Sequence, residues 1–228
     1  FKMERKLMFM PVIISMISLF SVDADGQSRV YTNSDGKEIE ADYVSSSDTH
    51  VTLKLKRNGK DYTFPIAQLS KADQAYVVEV RASLEKEEQQ KASAEARIAA
   101  AAAAAEKISG FAEENLGKKV GDGECWTLAD EAFRAAGVQR PGSDSRVWGR
   151  EVNWKKEKAR PGDILELESA HFSNGARSAE KHTAIIIKCR RKGVLTVCHQ
   201  NWGGKEVTRM EFNLKGMTSG RATIYRYE

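Results

Sequence analysis

Beyond its first twenty residues the sequence lacks any apolar run long enough to cross a membrane. It also lacks a strong charge of one sign, because 36 Lys+Arg stand against 32 Asp+Glu and give a net charge of +4. The excess is confined to the C-terminal half, where a mild positive charge suits a polyanionic surface without requiring one. We therefore predict neither a nucleic-acid partner nor a membrane span in the mature protein.

Cysteine is scarce, with 3 residues, and an odd number cannot form a complete disulfide framework within one chain. Cys189 and Cys198 fall on the two arms of a predicted hairpin, where a disulfide is possible but two packed thiols are favoured. A zinc site from Cys198 and the nearby histidines is conceivable, although the spacing matches no usual ligand motif. We predict no metal and no cofactor. Cys125 is left as a free thiol.

Residues 1–24 have the order of a secretory signal peptide. Basic residues precede an apolar run over residues 7–20, and Ala24 supplies a small residue at the cleavage position. The run is short for a membrane span, so a signal is favoured over an uncleaved anchor. We expect a secreted, periplasmic or cell-surface protein, and leave open whether the signal is cut.

Residues 25–82 predict a small β-rich module. Short runs alternate polar and apolar residues, and Asn58-Gly59 lies between two of them as a strong hairpin signal. Ser70 then caps a short helix. The module contains no set of residues that suits catalysis.

Residues 83–107 are charged and then almost pure alanine, with an unbroken alanine run over residues 99–105. Alanine is the best helix former, so the segment is predicted to be a helical linker. It lacks a heptad pattern of large residues, which favours a spacer over a partner-binding coiled coil.

Residues 108–228 contain the candidate chemistry. A glycine-rich approach leads to Cys125 in the first turn of a predicted helix, which ends at Gly137. Free backbone N–H groups and the helix dipole favour a thiolate at that position. A small buried hydrophobic role for Cys125 is equally compatible with this segment alone. The apolar face of the helix is predicted to consist of Cys125, Leu128, Ala129, Ala132, Phe133 and Ala136.

A predicted antiparallel hairpin follows, with residues 192–193 as its two-residue loop. Strand alternation then places His182, His199 and Asn201 on one face of the sheet. In this register Asn201 is the diagonal neighbour of His182, and His199 lies one step further away. The pattern suits a Cys–His–polar triad, in which His182 is the base and His199 or Asn201 orients its ring.

The N-terminal module resembles SLA1 homology domain 1, a family of SH3-like barrels. The resemblance implies an SH3-like fold and a role in binding short peptides. It rests on Arg29-Val30-Tyr31-Thr32, Glu40-Ala41-Asp42-Tyr43-Val44, Pro65-Ile66 and Leu69-Ser70-Lys71-Ala72-Asp73-Gln74-Ala75-Tyr76.

The C-terminal domain resembles the CHAP amidohydrolase/peptidase family, close kin of NlpC/P60 peptidases. The resemblance implies a papain-like fold, with Cys125 as nucleophile, His182 as base and the His199 and Asn201 positions behind it. Bacterial members of that family cut amide bonds in peptidoglycan. The matching residues are Gly123-Glu124-Cys125-Trp126, Trp148-Gly149, Pro161-Gly162-Asp163, His182-Thr183-Ala184-Ile185 and Gln200-Asn201-Trp202.

Together these observations predict an α+β protein with a small SH3-like barrel, a helical linker and a papain-like domain. The predicted function is a secreted cysteine amidase or endopeptidase that acts on peptidoglycan, with Trp126 and Trp202 lining the substrate groove. The alternative is an exported, non-catalytic adaptor that binds a protein or peptide through its barrel.

Overall fold

The computed structural model describes residues 28–141 and 146–228. The predicted signal peptide, residues 1–24, lies outside the described residues. The chain divides into two compact units, Phe1–Gln89 and Gln90–Glu228. Neither described range contains a helix that is both long and apolar enough to span a bilayer.

The first unit contains an antiparallel sheet with the strands in sequence order, followed by a 3-10 turn at Ile66–Gln68. Lys54 pairs with Asp61, which confirms the hairpin predicted around Asn58-Gly59. Alternate residues point into one small core, whose largest member is the fully buried Tyr31. The strands are β1 (Arg29–Thr32), β2 (Glu38–Ser46), β3 (His50–Leu55) and β4 (Asp61–Pro65).

Helix α1 extends from Lys71 to Glu114, so the short helix and the alanine-rich segment are one continuous element of 44 residues. Its start is fixed by Ser70, whose hydroxyl oxygen accepts a hydrogen bond from the Asp73 N–H at 3.2 Å. Arg81 and Ala82, between the two predicted segments, are good helix formers, so nothing interrupts the helix there. Ala104, Ile108 and Ala112 are buried at four-residue spacing near its end.

The second unit contains helix α2 (Cys125–Ala136) and a six-stranded antiparallel sheet with the order β5-β10-β6-β7-β8-β9. The residues predicted for the apolar face of α2 are all buried, and Gly137 ends the helix in the left-handed conformation at φ 75°. The strands are β5 (Arg150–Val152), β6 (Ile164–Phe172), β7 (His182–Arg191), β8 (Val194–His199), β9 (Thr208–Asn213) and β10 (Met217–Arg226).

The six-stranded sheet separates two cores, because successive side chains of a strand point to opposite faces. Ile185 and Cys198 pack with α2 and the end of α1. Ala184 and Val197, their chain neighbours, pack in the other core with Phe212. Side chains on the face of Ile185 and Cys198 therefore point towards α2, and those on the face of Ala184 and Val197 point away from it.

Candidate functional site

The first turn of α2 is positioned by a polar loop. The Asp122 carboxylate accepts hydrogen bonds from the Glu124 N–H at 2.9 Å and from the Thr127 hydroxyl at 2.6 Å. The Thr127 hydroxyl bond, followed by the Glu124 bond, holds the pKa of Asp122 below its ordinary value. Cys125 starts the helix directly after this turn and is 7% exposed.

Gln200 holds the same loop from the sheet, a role that the sequence did not reveal. It is fully buried, and its amide nitrogen donates to the Val120 carbonyl at 3.0 Å and to the Glu124 carbonyl at 2.7 Å. Its amide oxygen accepts from the Val120 N–H at 3.2 Å. One side chain thus satisfies three backbone groups next to Cys125. The only available signal was its place in the Gln200-Asn201-Trp202 motif.

His182 and His199 form a buried pair on the sheet. Their exposed fractions are 2% and 0%, and His182 Nε2 lies 2.9 Å from His199 Nδ1. Their ring centroids are 4.8 Å and 5.5 Å from the Trp202 centroid, and His199 also contacts Phe212. Trp202 therefore packs over both imidazoles. Trp202 and Phe212 belong to the core on the sheet face opposite α2. Because both histidines contact these residues, the pair lies on the face that α2 does not cover.

Two β-bulges explain why His199, rather than Asn201, contacts His182. The β7–β8 register shifts between Ile186 and Lys188 and again between Cys189 and Arg191. Ile185 therefore pairs with Cys198, whereas the regular hairpin would pair it with Gln200. A shift of two residues keeps every side chain on its face and makes His199 the diagonal neighbour of His182.

Asn201 lies beyond the end of β8 and has a left-handed backbone at φ 61°. Its amide donates to Glu124 Oε2 at 2.7 Å, and Lys205 forms an ion pair with the same carboxylate. The contact with His182 expected for Asn201 is therefore replaced by a link to the loop before Cys125. Trp126 is 38% exposed beside this cluster.

Burial governs the electrostatics of the histidine pair. Desolvation, with a smaller effect of the neighbouring ring, lowers the pKa of His182 to about 3. Desolvation lowers the pKa of His199 to about 4. Within residues 28–141 and 146–228 no carboxylate bonds either ring, and the other polar contact of His199 is the Thr208 hydroxyl at 3.4 Å. Both rings are accordingly neutral at pH 7.

The thiol of Cys125 makes no hydrogen bond to this pair. Throughout the described part of the chain Cys125 Sγ has no hydrogen-bond partner within 4.0 Å, so it is not bonded to His182 or His199. Cys189 and Cys198 are also free and buried, and the disulfide considered for them is not formed. The described residues contain no group of three or more metal-ligating side chains.

Two further sequence motifs have structural roles. A Cβ at Gly149 would lie 2.0 Å from the Arg226 carbonyl oxygen, and one at Gly162 would lie 2.3 Å from the Ala105 carbonyl oxygen. Asp163 accepts two hydrogen bonds from the Arg226 guanidinium, at 2.9 Å and 2.8 Å. These motifs hold strands and helices together at close range.

Trp148 and Thr183, also in the motifs, surround a buried carboxylate. The Trp148 indole donates to Glu166 Oε1 at 2.6 Å, and the Thr183 hydroxyl donates to the same oxygen at 2.7 Å. Burial raises the pKa of Glu166. Glu166 thus anchors the start of β7 next to His182.

A family model described as the AIM3/BBC1 cysteine proteinase-fold domain matches residues 79–227, more than half of the chain. The chain belongs to the AIM3/BBC1 family. A curated relative in the yeast Debaryomyces hansenii, altered inheritance of mitochondria protein 3, is 26% identical over 144 aligned positions. That alignment takes in 53% of this chain and 15% of the relative. No solved structure matches the chain significantly.

The family match shows a cysteine-proteinase fold for the C-terminal part, in agreement with the predicted papain-like and α+β class. The two antiparallel sheets and the helices agree with that class. Residues 25–82, predicted to be SH3-like, lie almost entirely outside the matched range.

The predicted secreted peptidoglycan amidase is wrong. The matching family is AIM3/BBC1, and its curated relative is a yeast protein named for the inheritance of mitochondria, whereas peptidoglycan is a bacterial polymer. The predicted location outside the cell rested on residues 1–24 and is contradicted by the same relationship. The basic and apolar order of residues 1–24 led to the predicted location, and the resemblance to the CHAP family led to the predicted peptidoglycan substrate.

Proposed function

We propose that this chain is a protein-binding, adaptor-type module in which a cysteine-proteinase fold is kept without turnover. The observation that carries the proposal is that no hydrogen bond joins the Cys125 thiol to His182 or His199. A cysteine nucleophile needs a base within hydrogen-bond reach, and Cys125 Sγ bonds neither imidazole.

The state of the histidines gives a second argument. A catalytic base works best when its pKa is close to the working pH, and the pKa of His182 is about 3. His199 is another buried neutral ring and does not supply the negative charge that would stabilise an imidazolium. The pair is therefore suited to packing under Trp202 rather than to proton transfer.

In this proposal the first unit also contributes a binding surface. Leu69 forms an antiparallel bridge with Asn33, next to the end of β1, which supports a sheet that closes on itself as in SH3-like barrels. We assign a peptide-binding role to residues 25–82 and a spacer role to the helical residues 83–107. The matched relative is much longer than this chain, which suits a module that acts within a larger protein.

The first experiment tests partner capture by the full chain with Cys125 intact or replaced by alanine. We expect the same partners at the same affinity, because binding does not use the thiol. Enrichment of a protein by Cys125→Ala that wild type releases in cleaved form would identify a substrate and contradict the proposal.

The second experiment tests the thiol itself by alkylation with iodoacetamide, read at Cys125 by mass spectrometry. We expect Cys125 to react at pH 7 no faster than a cysteine in an unstructured peptide, because no base bonds its thiol. A fast rate that stays constant between pH 5 and 7 would indicate an activated thiolate and overturn the proposal. Buried Cys198 serves as the unreactive internal control.

A cysteine hydrolase acting on polypeptides is the competing function. Cys125 in the first turn of α2 favours it, and His182 Nδ1 is left without a hydrogen bond among the described residues. In that function Cys125 is the nucleophile, His182 the base and His199 the group that orients it. Hydrolysis of a fluorogenic casein probe by wild type, abolished in both Cys125→Ala and His182→Gln, would select this function over the adaptor.

A further inference from the structure

A groove with a volume of about 380 Å³ lies on the second unit between the end of α1 and the end of α2. The groove is open to solvent, and all but one of its lining residues lie on α1. Ala135 of α2 lies ten residues after Cys125, which is about 15 Å along a helix, so the groove is distinct from the loop around the thiol. Its lining residues are Glu106, Lys107, Gly110, Phe111, Glu114 and Ala135.

Gly110 is the unusual residue of this groove. Glycine is the least favourable residue in a helix interior after proline, and α1 is otherwise rich in alanine. A Cβ at Gly110 would meet nothing within 4 Å, so the described chain gives no packing reason for glycine. Gly149 and Gly162, in contrast, are required because backbone atoms lie directly against them. Gly110 is explained if the backbone of another molecule approaches α1 at this point.

The charges of the groove indicate the chemical character of the molecule that binds there. Among the described residues the carboxylates of Glu106 and Glu114 have no ion-pair partner, whereas the nearby Glu113 pairs with Arg209 at 2.6 Å. With the single ammonium of Lys107, the rim carries two negative charges and one positive charge. Half-buried Phe111 provides an apolar floor between them. A basic segment with an apolar face complements this surface.

We propose that this groove is the docking site for a basic amphipathic helix of a protein partner, which crosses α1 at Gly110. The apolar face of the partner helix packs on Phe111 and Ala135. Its basic side chains pair with Glu106 and Glu114. Small residues allow two helix backbones to come close together, which is the role of Gly110. The proposal does not depend on whether Cys125 is catalytic.

The test uses the full chain and two fluorescein-labelled synthetic helices of 16 residues. One carries leucine on one face and lysine on the other, and its counterpart carries glutamate in place of lysine. We expect the lysine helix to bind and Gly110→Leu to weaken it at least tenfold. Ala99→Leu, an exposed position three turns away on the same side of α1, is the matched control and should stay within twofold of wild type.

Charge reversal makes the test specific. Glu106→Lys combined with Glu114→Lys should weaken the lysine helix at least tenfold and let the glutamate helix bind. Gly110→Ala, which suits a helix, should melt at a higher temperature than wild type yet bind the lysine helix more weakly. This variant keeps the test valid if Gly110→Leu does not fold.

Three outcomes overturn the proposal. The first is no binding of the lysine helix to wild type, and the second is equal binding by wild type, Gly110→Leu and the charge-reversed variant. The third is a dimer in sedimentation that Gly110→Leu dissociates, which would assign the groove to a second copy of this chain.

Discussion

Acid should destabilise the second unit through the pair His182 and His199. Each ring has a folded-state pKa well below the ordinary value of 6.5, at about 3 and about 4, because both are buried. Between these values and pH 6.5 the unfolded chain binds protons that the folded chain does not. The stabilising contribution is therefore complete above about pH 6.5 and is lost as the pH falls towards 4 and 3.

The size of the effect follows from proton linkage. Each group that protonates only on unfolding costs about 1.4 kcal/mol per pH unit, so the pair costs about 2.7 kcal/mol per unit. Because the unfolded rings are only half protonated at pH 6.5, the loss between pH 6.5 and 5 is about 3 kcal/mol, a large part of a typical stability of about 5–15 kcal/mol. His199→Gln removes one titrating ring and should reduce the slope by about half, whatever its effect at pH 7.

The assay is urea denaturation of the full chain between pH 7.5 and 5, followed by tryptophan fluorescence. His171→Gln, at an exposed histidine of the same unit, controls for the loss of an imidazole outside the buried pair. An equal slope in wild type and His199→Gln, or a free energy of unfolding that does not change between pH 6.5 and 5, would refute the reasoning.

Three further substitutions test the packing by urea denaturation. Gln200→Leu leaves three backbone groups without a partner and should lower the free energy of unfolding by about 3 kcal/mol or more. The exposed matched control Gln139→Leu should lower it by less than about 0.5 kcal/mol. Equal losses would show that the loop does not need the amide. Gly149→Ala should cost about 2–4 kcal/mol through its clash with backbone, against about 1 kcal/mol for Gly175→Ala, which has open space but a positive φ. Gly110→Ala should stabilise the chain by about 0.5–1 kcal/mol, and a loss of stability would mean that glycine is needed within the chain itself.

Local structure could be predicted where one segment decides it. The spacing of Leu128, Ala132 and Ala136 determines the buried face of α2, and Gly137 ends the helix because it tolerates the left-handed conformation. The Asn58-Gly59 turn likewise specifies its own hairpin. The continuity of α1 was missed because the composition changes along it, although no residue there breaks a helix.

The candidate site could be predicted only in part. It depends on the register of β7 and β8 and on which face of the sheet α2 covers, and no single segment determines either. The bulges in β7–β8 leave no turn signal in the sequence, yet they place His199 instead of Asn201 beside His182. Alternation showed that these residues share a face, but not which face α2 covers. Because α2 covers the opposite face, its Cys125 does not share a face with the histidines, and the spacing of residues in the sequence does not show this.

His182 is a neutral, buried ring with no ion pair to Cys125. Nitrogen-15 NMR of the imidazole rings reports this protonation state, because neutral and protonated rings have distinct shifts. We predict a neutral His182 at every pH from 8 to 5, identical in wild type and Cys125→Ala. A protonated His182 at pH 7 that becomes neutral in Cys125→Ala would reveal a thiolate–imidazolium pair and contradict a fold kept without turnover.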